Sequence, residues 1–241
     1  DLRASLMPGM VFEVHLRNGG PEARSGTLVL SFPGPSEAEA GTTRFRRRAL
    51  TGSLAGVTVA SRQASYALAA IGEAQVRTGG DLGLDNQAWA CIEHELPHAR
   101  HQAGAAVAVD WSLEPGAEKV VRFVLAWHAP QWRGEGTMSS GGNAYTHMYA
   151  ARFRSAAAAA QCVARDHADL LRRVLAWQRV VYAESALPAW LRDALVNVLH
   201  LIAETAVWGQ AQPPIGAWCR PEDGLFAMNE KGIVHRDIKP A

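Results

Sequence analysis

Near residue 155 the spacing of apolar side chains changes, and that change restricts the fold more than any other feature of the chain. Before it, apolar residues recur at every second position; after it, at every third and fourth. A period of two sends alternate side chains to opposite faces of a strand, whereas a period near 3.6 gathers them into one stripe of a helix. A sheet module that feeds a helical one is therefore predicted.

The first 155 residues read as strands. Residues 10–16 alternate apolar and polar, and Asn18-Gly19-Gly20 supplies turn residues. Residues 27–32 follow and end at Pro33-Gly34-Pro35. Further strands are expected at 56–60, 66–71 and 88–92. A last pair at 105–113 and 119–127 is separated by the turn signal Glu114-Pro115-Gly116-Ala117. Short strands at this spacing, with no helices between them, predict an antiparallel β-sandwich.

Residues 156–182 carry apolar or stripe positions at Val163, His167, Leu170, Leu171, Val174, Leu175, Gln178 and Val181, which predicts one long helix. A second helix is expected to begin at Leu187-Pro188, with Leu191, Leu195, Val198, Leu199 and Ile202 as its buried stripe and Gly209 as its stop.

Composition narrows the function. The formal net charge is +1, from 24 basic and 23 acidic side chains, and gives no reason to expect a nucleic-acid partner. No apolar run reaches the roughly 18 residues that span a bilayer. Three widely separated cysteines, Cys91, Cys162 and Cys219, argue against a disulfide framework and lean towards a reducing, cytoplasmic compartment. The chain begins at Asp1 and stops at Ala241 in a polar stretch, so both ends are read as cuts.

Several segments together resemble glycoside hydrolase family 116, the family of non-lysosomal glucosylceramidases and related β-glucosidases. Val124-Leu125-Ala126-Trp127-His128-Ala129-Pro130 is similar to the strand closing its N-terminal sandwich. Tyr145-Thr146-His147-Met148-Tyr149 resembles the segment leading into its linker helix. Trp177-Gln178 and then Leu187-Pro188-Ala189-Trp190-Leu191 through Leu195 resemble the start of its catalytic domain, and Thr205–Trp208 and Asp223–Glu230 continue the likeness.

The resemblance implies a supersandwich-like sheet module over 1–155, itself missing an N-terminal part. A linker helix over 156–185 and the start of an incomplete (α/α)6 barrel over 186–230 would follow. It implies a retaining mechanism on β-glucosides or glucosylceramide, in which one carboxylate attacks the anomeric carbon and a second carboxyl protonates the leaving oxygen about 5 Å away. In the family both groups lie deep in the barrel, beyond the last residue here. No catalytic residue, cofactor site or metal site is therefore assigned, and this stretch alone is expected to be inactive. The helix over 187–207, lacking the rest of a barrel, is expected either to fold back on the sandwich or to expose an apolar patch prone to association.

Other constellations match on paper. Glu93 with Glu95, and Glu222 with Asp223, are read as solvated side chains rather than acid/base pairs. Trp208 and Trp218 are read as packing residues rather than cleft-lining ones. His94-Glu95-Leu96-Pro97-His98 spells the zinc-protease motif, but Pro97 disfavours the helix that would set both histidines on one face. Residues 231–241 resemble a Ser/Thr kinase catalytic loop, with Asp237 to orient a hydroxyl and Lys239 to meet phosphate. No glycine-rich nucleotide loop precedes them, so the tail is read as foreign. The alternative function is a non-catalytic sandwich that binds carbohydrate or protein through Trp89, Trp111 and Trp132 aligned on one sheet face.

Overall fold

The computed structural model describes residues 7–133, 144–198, 209–210 and 218–219. Strands dominate the first part and helices the last, and the strands pair antiparallel throughout. Two compact units emerge, one formed by Met7–Ala129 with Phe153–Arg165, the other containing Pro130–Arg152 and the helices from Asp166 onward.

In the first unit, β1 (Gly9–Arg17), β2 (Arg24–Phe32), β3 (Arg46–Leu50), β4 (Leu54–Ala60), β5 (Ser65–Ile71), β6 (Arg77–Gly79), β7 (Ala105–Leu113) and β8 (Glu118–His128) form two sheets. One runs β1-β8-β5-β4-β3 and the other β2-β7-β6. The β7–β8 turn falls where the sequence places it: Gly116 takes φ +75° and the Ala117 amide donates to the Glu114 carbonyl over 3.0 Å.

Both sheets contribute to one core. Val57, Val59, Tyr66, Leu68, Val121, Phe123 and Leu125 come from the larger sheet, and Ala105, Val107 and Val109 from the smaller. Burying such a side chain stabilises the fold by about 1.5–3 kcal/mol. Phe32 meets Tyr66 edge-on at 4.9 Å and 81°, an aromatic pair that links the two sheets.

Strand β5 is buried on both faces, which is why it lacks clean alternation. Ala67 and Ala69 are as inaccessible as Tyr66 and Leu68. The first turns of the long helix bury Ala156, Ala159, Ala160 and Val163, and they approach the same sheet at β1 and β8. A methyl group on Gly9 would lie 3.0 Å from the Ala126 Cβ and 3.1 Å from Val163 Cγ2. Small residues on both sides thus let the helix approach the sheet closely.

Two expectations about the sheet region are corrected. The strands are not free of intervening helices, because α1 (Glu37–Ala40) and α2 (Asn86–Ala90) lie between them. The residues expected as a strand at 88–92 instead form α2 and the turn after it. The Asp85 carboxylate accepts from the amides of Gln87 and Ala88 and nucleates that helix.

The second unit holds β9 (Gln131–Arg133), β10 (Ala144–His147), α3 (Met148–Arg152), most of α4 (Ala156–Ala183) and α5 (Ala189–Asn197). Two short strands, β11 (Gly209–Gln210) and β12 (Trp218–Cys219), extend the sheet in the order β12-β11-β10-β9. The Ser155 carbonyl and hydroxyl accept from Ala159 and Ala158 at the start of α4, and Pro188 stands just before α5.

Here too the structure departs from the sequence reading. Leu195 and Val198 are exposed rather than buried, and within α4 so are Leu171, Val174 and Leu175. Gly209 lies in a strand paired with His147 instead of ending a helix. Leu199 and Ile202 fall outside the described residues. Among the described residues no helix is long and apolar enough to cross a membrane.

Candidate functional site

The residues around α2 bring several chemically capable side chains to one surface depression. Asp85, Cys91, Glu95 and His98, with Leu96 and Pro97, line an open surface depression of about 210 Å³. His94 sits in the turn closing α2, whereas His98 lies past Pro97 in an extended stretch whose Pro97 carbonyl accepts from Gly80 over 2.7 Å. The two imidazoles therefore share no helix face. Among the described residues no cluster of three or more histidine, cysteine or acidic side chains stands at metal-binding spacing.

Glu93 and Glu95 are exposed, on the turn and just after it rather than on a strand. Glu222 and Asp223 lie outside the described residues, as do Trp208 and the whole kinase-like tail with Asp237 and Lys239. The side chains of Trp132 and Trp218 are also outside them.

The tryptophans proposed as a binding platform do not share a sheet. Trp89 sits on α2 and donates from Nε1 to the Gly83 carbonyl over 3.1 Å. Trp111 sits on β7, its ring 3.0 Å from where a Cβ on Gly26 would stand. The backbone of Trp132 pairs in β9 with Tyr145 of β10.

Several acidic groups are held by close partners. The Glu13 carboxylate accepts from Arg122 at 2.5 Å and from His15 at 2.7 Å, and chiefly the Arg122 hydrogen bond holds its pKa below the usual value. Asp110 accepts from Arg77 at 2.6 Å and from Thr27 at 2.6 Å, and the Arg77 contact lowers its pKa most. Lys119 pairs with Glu73 at 3.1 Å. Glu39 closes a capping box with Ser36.

Within Tyr145–Tyr149, His147 is half-buried and its ring stacks on Tyr149 at 5.2 Å and 20°. Burial lowers its pKa, which favours a neutral imidazole.

The sequence reading missed the arginines of β3. Arg47 turns inward, and its guanidinium donates to the Gly104 carbonyl at 2.7 Å and the Gly79 carbonyl at 2.6 Å. Arg44, Arg46 and Arg48 are exposed at alternate positions. The signal was present as every-second-residue spacing of one charge type.

One comparison with known families bears on this geometry. A family model described as beta-glucosidase 2, glycosyl-hydrolase family 116 N-terminal, matches residues 1–170, from before β1 into α4.

Proposed function

Because the chain belongs to glycoside hydrolase family 116, we propose that it is the N-terminal, sheet-bearing part of a retaining β-glucosidase or glucosylceramidase-type enzyme. The match over residues 1–170 carries the reading. On it, the two sheets act as a sandwich scaffold over 1–155, α4 as the linker, and α5 as the first helix of an (α/α)6 barrel. Residues 231–241 are foreign to that plan.

The chemistry of a retaining enzyme needs a nucleophilic carboxylate and a proton-donating carboxyl about 5 Å apart around the scissile bond. The strongly partnered acids described here do not supply it. Glu13, Glu73 and Asp110 are held by cations, and Glu39 by the Ser36 cap. The family resemblance implies that the reacting pair lies in the helical barrel of the longer enzyme, with this stretch as its support.

A chromogenic aryl β-glucoside tests the reading. The purified 241-residue chain should release no aryl alcohol above the buffer blank, while the same chain extended through a helical domain should. Turnover by the 241 residues alone would overturn the assignment of the reacting pair.

A further inference from the structure

Strand β3 ends its sheet. It pairs with β4 from Arg46↔Ala60 to Leu50↔Gly56, and no described strand lies on its other side. An unpaired strand edge presents backbone N–H and C=O groups that another extended chain can use. Arg46–Leu50 contains neither proline nor glycine and keeps an unbroken register with β4.

The side chains make the edge selective. Arg44, Arg46 and Arg48 are exposed two apart, and Arg62 is exposed in the turn joining β4 to β5. None of these four guanidinium groups has an ion-pair or hydrogen-bond partner among the described residues. Arg47 is different: its fork is spent on the carbonyls of Gly79 and Gly104, which pins the strand from behind. On α1, Glu39 is turned onto Ser36.

A second copy of β3 would set arginine against arginine, and like charges directly opposite one another destabilise a strand pair. A strand with carboxylates at alternate positions would set each one against an unpartnered guanidinium, while its backbone completed the ladder. We propose that the free edge of β3 receives an extended acidic segment of a partner protein, added antiparallel, with carboxylates facing Arg46 and Arg48. This surface is independent of the hydrolase reading.

Fluorescence anisotropy of a labelled peptide alternating threonine and glutamate tests the proposal on the 241-residue chain. The expected result is saturable binding that weakens about tenfold in an Arg46→Glu/Arg48→Glu double variant whose circular dichroism is unchanged. The same peptide with alternate amides N-methylated keeps its charge but loses its strand-forming donors, and it should bind at least as weakly. That arm needs no variant, so it stands if the double substitution impairs folding. Absence of saturable binding, equal binding of the N-methylated peptide, or capture only by phosphatidylserine vesicles would each overturn the proposal.

Discussion

The side-chain amide of Asn18 donates to the backbone carbonyl of Leu113 over 3.0 Å, joining the turn after β1 to the end of β7 across 95 positions of sequence. Asn18 is only 5% exposed. Its amide also donates to the Glu22 carbonyl at 2.7 Å, its side-chain oxygen accepts from Gly20, and its backbone pairs with Gly116 and Ala117. Asn18→Leu leaves the Leu113 carbonyl buried without this mate, at a cost of about 1–3 kcal/mol. Urea unfolding measures it. Asn18→Asp should recover little, because a carboxylate cannot donate to two carbonyls; full recovery would show that shape alone matters here.

Arg47 makes a comparable link between the sheets. Its planar fork reaches two carbonyls that stand 25 positions apart, those of Gly79 and Gly104. Arg47→Met should lose about 1.5–3 kcal/mol. Arg47→Lys should lose nearly as much, since a single ammonium cannot match two acceptors so placed. Equal unfolding midpoints for the parent and Arg47→Lys would show that charge, not the fork, is what matters.

These two residues show what could be read in the sequence and what could not. Local patterns carried β1, β7, β8 and α4, because alternation, the 114–117 turn and a sustained helical stripe are all encoded within a few residues. The short run at 88–92 has no such period, and one carboxylate, Asp85, decides it in favour of a helix. Strand β3 was invisible because its inward face carries Arg47, whose partners are remote in sequence. The exposed stripe of α4 and α5 looked buried because periodicity reveals a face but not what covers it. At the zinc-like motif the helix ends at Ala90, before His94, and Pro97 stands between the two histidines where the sequence placed a helix-disfavouring residue.

The Glu13 network gives a prediction in pH. Hydrogen bonds first from Arg122 and then from His15 hold the Glu13 pKa below its ordinary value of 4.5. A carboxyl depressed on folding contributes stability in full above the unfolded value and loses it as pH falls through the folded one. Glu13→Gln should therefore melt lower than the parent at neutral pH, with the gap closing progressively below 4.5. A gap that stays constant through that range would assign the effect to packing.

The last prediction concerns the helical unit. On α5 and its C-cap, Trp190 is 70% exposed, Leu195 42% and Val198 45%, so several large apolar side chains of this helix meet water. Water-exposed apolar area of this kind favours association, and burying two such side chains is worth about 2 kcal/mol, roughly thirtyfold in a dissociation constant. The 241-residue chain is expected to sediment faster as its concentration rises. Trp190→Glu/Leu195→Glu should suppress that rise, because each carboxylate would have to be desolvated in the contact. Sedimentation velocity over a hundredfold concentration range decides: a parent that stays monomeric throughout, or a double variant that associates equally well, removes α5 as the contact surface.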